Sequence, residues 1–266
     1  MPSRRKEDLE AIEGQIGPFG QAKVLSASGG VDLDTTAVMV PVPKGVASIE
    51  TLPRNFTTAT NYYTVALCPY LSIFKTTDDG VSFTEYSEEA QDGDVGTLSL
   101  SSLSTLALGD YLYIGAPLPF RAVRVDVDAA HPNATVSVLT VKYYTTAGTW
   151  ATITATDGTI SGGATFAVDG DVSWTVPTDW KTTKIRSQDL YWTRWEVSVA
   201  LDSDTLVANM WGLSEYSAAP QYPSTYAVFQ RVYRGTQGIA ALEVLGNAND
   251  GFVIVNGYSE VGRRIG

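Results

Sequence analysis

The chain has 266 residues, with 18 Lys plus Arg against 29 Asp plus Glu, giving a net charge of −11 and a pI near 4.5. Gripping a nucleic-acid backbone needs clustered Lys and Arg, so this balance excludes nucleic acid as a partner. Charged residues are 18% of the chain, below the roughly 25% of an average globular protein, and Gly, Ser, Thr and Tyr are abundant, which is the composition of sheets joined by tight turns.

The opening Met1-Pro2-Ser3-Arg4-Arg5-Lys6 leads into Glu7-Asp8-Leu9-Glu10 instead of an apolar stretch, so no secretion leader is expected and synthesis in a reducing cytoplasm is. No apolar run reaches the roughly 20 residues that a membrane-crossing helix needs, so no membrane partner is expected. Residues 4–13 read as a short helix, with Ser3 as its cap, Leu9 and Ile12 on one face and Gly14 at its end. From Gly14 to Val46 the breakers Gly17-Pro18, Ser28-Gly29-Gly30 and Pro41-Val42-Pro43 predict an extended segment with a few strand-like pieces. Residues 1–46 are therefore expected to form an N-terminal arm that lies on a neighbouring subunit, anchored by Leu9, Ile12, Ile16 and Phe19.

Residues 47–104 read as a β-rich flank, with strands at 61–67 and 70–76 and a turn at Thr77-Asp78-Asp79-Gly80 before 81–86. Thr76 to Phe83 resembles the Asp-box of propeller blades, but a propeller needs several copies and this one predicts only a β-turn. Cys68 is the one cysteine, so no internal disulfide exists, and its apolar setting predicts a buried small hydrophobe.

Residues 105–215 hold all six tryptophans, with strands predicted near 111–114, 121–128, 136–144, 149–155, 164–168, 172–176, 191–201 and 206–213. Eight short strands at regular spacing predict an antiparallel β-sandwich or jelly roll. In the run 191–201, alternation puts Trp195, Val197, Val199 and Leu201 inward, with Trp192, Arg194, Glu196 and Ser198 on the outer face. Residues 216–266 add a C-terminal β extension with strands near 225–233, 239–245 and 251–258.

The residues that would carry chemistry are sparse. The lone histidine, His131, sits in the turn His131-Pro132-Asn133, and no Gly-x-Ser-x-Gly elbow accompanies it, so nucleophilic hydrolysis is not expected. Asp126 and Asp128 alternate with Val123, Val125 and Val127, which puts them on the solvent face of one strand and not across a glycosidase cleft. Asp92-Gly93-Asp94 and Asp169-Gly170-Asp171 keep calcium in view without the spacing of a calcium loop, and one Cys with one His disfavours zinc. With no phosphate-cradling motif, no cofactor is expected. Trp180, Trp192, Tyr143 and Tyr144 are the candidates for an aromatic platform that would stack on a glycan.

The succession Gly109-Asp110-Tyr111-Leu112-Tyr113-Ile114-Gly115, Pro119-Phe120, Ser137 to Tyr144 and Gly148-Thr149-Trp150 continues through Asp157-Gly158-Thr159 and Gly162 to Phe166. Gly170 to Trp174, Pro177-Thr178-Asp179-Trp180 and Tyr191-Trp192-Thr193-Arg194 complete it. It resembles a β-sandwich module of tailed-bacteriophage structural proteins found at tails, necks and capsid surfaces, over roughly residues 105–215. The resemblance implies assembly and not catalysis: a virion component made in the host cytoplasm, with other virion proteins and further copies of itself as partners. Within it, Trp150, Trp174 and Trp195 are expected in the core, and Gly158 and Gly170 at turns of positive φ. Trp180 and Trp192 are expected at contacts with other subunits or, in the rival reading as a carbohydrate-binding or host-recognition module, on a glycan.

Overall fold

The structure, a computed structural model, describes residues 22–24, 30–43, 46–58, 60–92, 98–101, 103, 109–214, 231–234 and 238–259. The expected helix at 4–13 and the anchors Leu9, Ile12, Ile16 and Phe19 lie outside these residues, as does most of the strand expected at 225–233.

The fold is all-β. Its first strands are β1 (Ala22–Val24), β2 (Val31–Asp32), β3 (Val38–Pro41), β4 (Val46–Arg54) and β5 (Tyr63–Pro69). Next come β6 (Ser72–Thr76), β7 (Thr84–Glu85), β8 (Leu98–Ser99), β9 (Tyr111–Ala116), β10 (Phe120–Val127) and β11 (Leu139–Tyr144). They are followed by β12 (Trp150–Thr152), β13 (Ala155–Asp157), β14 (Gly170–Trp174), β15 (Thr183–Ile185), β16 (Gln188–Val197) and β17 (Leu206–Ser214). The last are β18 (Arg231–Arg234), β19 (Ile239–Gly246) and β20 (Phe252–Ser259). Among the described residues the one helical piece is a single 3-10 turn at Glu89–Gln91.

The chain divides into two compact units, one formed by residues 1–67 with 217–266 and the other by residues 68–216. The second division falls next to the boundary expected at 215. Residues 68–104, expected in a separate flank, belong with the sandwich.

In the first unit, one sheet runs β1-β20-β4-β18 with β2 also on β20, and a second runs β3-β19-β5. Its core gathers Val31, Leu33, Val40 and Val42 with Ile49, Val65, Leu242, Val244, Val253 and Val255. The described part of the expected arm is thus built into its own subunit, which corrects the expectation of a free arm there. The reason is long-range pairing: Val38–Pro41 gains its ladder from Ala241–Val244 and Val31 from Val253, partners some 200 residues away in sequence. Two buried carboxylates lock this unit. Glu50 accepts hydrogen bonds from the Tyr258 hydroxyl at 2.7 Å and Asn256 Nδ2 at 2.9 Å, while Asp250 gathers Thr57, Thr58 and Asn61.

The second unit is a sandwich of two antiparallel sheets, β12-β11-β16-β9-β6-β7 with β15 on β16, and β13-β14-β10-β17-β8. Period-2 alternation sends Leu112 and Ile114 of β9, Val123 and Val125 of β10, and Trp195 and Val197 of β16 into one buried core. Trp174 and Trp195 are core residues there, as expected. Three strand expectations change. Residues 149–155 divide into β12 and β13, which belong to opposite sheets. Residues 164–168 form turns, because Phe166 takes φ 56 and gives its N–H to the Thr159 hydroxyl instead of to a ladder. The strand at 191–201 ends at Val197 and begins earlier, at Gln188, in a hairpin with β15 whose Arg186-Ser187 turn carries no Gly, Pro, Asn or Asp.

Gly158 and Gly170 also serve a different purpose from the one expected, since neither has a positive φ. A Cβ on Gly170 would come within 2.2 Å of the Gly158 carbonyl oxygen, and one on Gly158 within 2.7 Å of the Asp171 carbonyl. Gly158 does lie in a turn and Gly170 opens β14, but glycine is required at both for backbone approach and not for a positive φ.

Candidate functional site: an aromatic groove on the outer face of the sandwich

The sandwich has a second, smaller apolar layer on the outer face of the β9–β16 sheet. The residues of β9 that point away from the main core are Tyr111, Tyr113 and Gly115, and those of β16 are Trp192, Arg194 and Glu196. Phe74, Tyr111, Tyr113, Ile185 and Trp192 form a buried cluster here, with Phe83, Trp150 and Leu190 packed on it. Trp192 is 0% exposed, because the β6–β7 loop and the β15–β16 hairpin fold over this face. It faces away from the main core, as its place in the alternation says, yet it does not face solvent. That corrects its assignment to a contact surface.

Trp192 fits because its cross-strand neighbour is Gly115, where a Cβ would stand 2.5 Å from the indole. Beside it, a charged clamp fixes the sheet surface. The Glu196 carboxylate, its side chain only 3% exposed, meets Lys142 Nζ and Arg194 Nη2, each at 2.8 Å. Arg194, so held, lays its guanidinium 4.4 Å from the Tyr111 ring centroid and 5.1 Å from that of Trp150, cation–π contacts worth about 0.5 to 2 kcal/mol each. Trp150 also lies 5.7 Å from Tyr113 and 5.5 Å, edge-on, from Tyr144. It is half-buried in this outer layer, so the expectation of a core position for Trp150 is corrected too. Burial pushes the Tyr111 and Tyr113 phenols above their ordinary range, with the Arg194 charge pulling the other way.

Above this floor lies a cavity of about 460 Å³. Its walls are Asp79, Gly80 and Phe83 from the β6–β7 loop, Tyr113 and Trp150 from the sheet, and Thr183, Lys184, Ile185 and Arg186 from β15 and its turn. The loop is shaped by the Asp-box-like residues. Asp78 Oδ1 accepts from the Thr76 hydroxyl and the Ser82 amide, both at 2.8 Å, and the Ser82 hydroxyl donates to Oδ2 at 2.5 Å. These bonds, led by the Ser82 hydroxyl, hold the Asp78 carboxyl down at about 2. Asp79 and Gly80 then take φ 56 and 84, which turns the chain so that Phe83 packs edge-on against Phe74. Asp79 lies near enough to Tyr111 to add to the upward push on its phenol. On the opposite wall, Arg186 at φ 52 pairs with Glu85 at 3.4 Å and lies over the Phe74 ring.

The glycan platform that the rival reading would build from Trp180, Trp192, Tyr143 and Tyr144 does not form. Trp180 is 7% exposed; its indole N–H donates to the Trp192 carbonyl at 3.3 Å, and its ring packs on Phe120 at 5.2 Å. The Tyr143 hydroxyl donates to Asp179 at 2.8 Å, and Tyr144 supports Trp150. Of the other candidates, His131 pairs with Asp128 at 2.9 Å in its turn, and Asp126 accepts from Arg124 and from Trp211, each at 3.3 Å. Asp169 accepts the Val127 amide and Asp171 pairs with Arg124, while Asp92-Gly93-Asp94 extends beyond the described residues.

The groove residues Phe83, Tyr113, Lys184 and Arg186 were not singled out from sequence. The one signal for them was the period-2 run Tyr111-x-Tyr113-x-Gly115 opposite Trp192-x-Arg194. It gains meaning only once β9 and β16 are known to be neighbours. Compared with known proteins, the sequence matches no family model and no curated protein.

Proposed function

We propose that this chain is a structural protein of a tailed-bacteriophage particle, at the tail, neck or capsid surface, that assembles through its sandwich with neighbouring subunits. The observation that carries this reading is an exposed apolar strip borne on a hydrogen-bonded segment at one end of the sandwich. Val136 and Val138 are 65% and 61% exposed, with Val199 beside them at 46%. The segment that bears them is fully tied down. Asp202 accepts the Ala134 amide and the Thr135 hydroxyl, both at 2.6 Å, Asn133 Nδ2 donates to Thr135, Ser137 and Thr165, and Val138 bonds Ser198. Exposed β-branched residues on a preorganised backbone suit a surface that another subunit covers, because little conformational freedom remains to be lost on contact. The resemblance over residues 105–215 supports the same reading.

The test has two parts. Mass spectrometry of purified particles should find the chain in fixed stoichiometry with the other virion proteins. The double substitution Val136→Ser with Val138→Ser should leave its melting temperature unchanged and reduce its incorporation. A particle without the chain, or normal incorporation of the double variant, would overturn the proposal. Glycan recognition, the rival function, loses the Trp180 and Trp192 platform that motivated it, and only the outer-face groove supports it.

A further inference from the structure

We propose that the groove between the β6–β7 loop and β15 is a binding site for a neutral saccharide, with Trp150 and Phe83, over the buried Tyr113, meeting the apolar face of a pyranose and Asp79, Thr183 and Lys184 meeting its hydroxyls. This rests on the glycan-recognition reading and stands independently of a place in a virion. Three features select this ligand class.

The groove, open to solvent and about 460 Å³, lies in the roughly 300–1,000 Å³ range of small-ligand sites and combines aromatic side chains with a mainly polar rim. A sugar ring has that same division, with C–H faces that stack on aromatics and a rim of hydroxyls that both donate and accept. The polar wall supplies both partners, an acceptor in Asp79 and donors in Lys184 and Thr183.

Charge then separates neutral sugars from acidic ones. Arg186 is already opposed by Glu85 at 3.4 Å, so Lys184 and Asp79 leave the groove close to neutral, on a chain whose net charge is −11. A sulfated or sialylated glycan would approach against the field of the whole molecule without a cationic cluster to receive it.

The site is also built before any ligand arrives. Glu196 fixes Arg194, Arg194 fixes Trp150, and Asp78 closes the loop that carries Asp79 and Phe83. Binding therefore requires little reorganisation.

The experiment uses the full chain on an array of neutral hexose and N-acetylhexosamine oligosaccharides printed beside sialylated and sulfated ones. The strongest neutral oligosaccharide is then titrated by tryptophan fluorescence. Saturable binding to neutral members is expected. It should weaken by about tenfold or more in Lys184→Ala and in Asp79→Asn, with melting temperatures unchanged. Lys184 is exposed, and asparagine tolerates the positive φ of Asp79, so both variants keep the fold. The Val136→Ser, Val138→Ser double variant should bind sugar normally, which separates this site from the assembly strip. Binding to no member of the array, preference for acidic members, or affinity unmoved by both substitutions would overturn the proposal.

Discussion

Trp192 and Trp195 are three residues apart on β16, so one enters the outer aromatic layer and the other the sandwich core, and at 0% and 1% exposure both are fully enclosed. Truncating either to Ala is expected to cost about 3 to 5 kcal/mol in urea unfolding, the range for large aromatics in packed interiors. A small loss at Trp192 would mean that its covering hairpin contributes no packing. Gly115→Ala should act on the same layer from the opposite side, because its Cβ would overlap the Trp192 ring; a loss of about 1 to 3 kcal/mol with a changed near-UV tryptophan signal is expected. Asp250 makes a different kind of contribution. Its carboxylate accepts from the Thr57 amide and hydroxyl, the Thr58 amide and Asn61, and these bonds, the Thr57 amide first, hold its pKa at about 2. The folded pKa is depressed, so its stabilisation is complete above the ordinary aspartate value of about 4 and disappears as pH falls through about 2. Wild type should therefore be more stable than Asp250→Asn at pH 6, with the gap closing toward pH 2; a pH-independent gap in denaturation midpoints would refute this.

At the scale of elements, the groove depends on two short pieces that cover the outer sheet face. The β6–β7 loop is organised by one carboxylate, Asp78, through the Thr76 hydroxyl and both the amide and hydroxyl of Ser82. Asp78→Ala should release the loop without unfolding the sheet beneath it. Hydrogen exchange should accelerate at the Gly80 and Ser82 amides while the β9 amides keep their protection, and equal acceleration in both would show that the loop is integral to the sheet. The β15–β16 hairpin, the other cover, turns at Arg186-Ser187 with Arg186 in the left-handed region. Arg186 has no intrinsic preference for that region, so the hairpin depends on tertiary contacts: Ile185 in the outer cluster, and Arg186 over Phe74 and beside Glu85.

For the whole molecule, the division into residues 68–216 and the two terminal segments predicts that the sandwich folds without the rest. Residues 68–216 expressed alone should unfold in one cooperative transition and retain the sugar binding proposed for the groove, since every residue of that site lies within them. A non-cooperative transition would show that the terminal segments complete its core. The complementary unit is woven from both ends of the chain, with β2 and β3 paired to β20 and β19.

The sequence by itself determined the all-β class and most strands of the sandwich, because alternation along β9, β10 and β16 is a local property that reports directly which residues share a face. It also placed Trp174 and Trp195 in the core. Alternation tells two faces apart but does not say what covers the second one, which is why Trp192 read as exposed and Trp150 as core. The cover over Trp192 comes from β15 and the β6–β7 loop, and whether a face meets water or another layer is decided by elements distant in sequence. The same limit applied to Val31–Pro41, whose short strands show nothing locally of the β19 and β20 partners that bury them. Gly158 and Gly170 read as positive-φ positions, and only the approach of their two backbones shows that glycine is needed there for space. The groove was beyond local pattern for the same reason, since Asp79, Tyr113, Trp150 and Lys184 belong to four segments that no spacing connects and that only the packing of the sheet brings around one cavity.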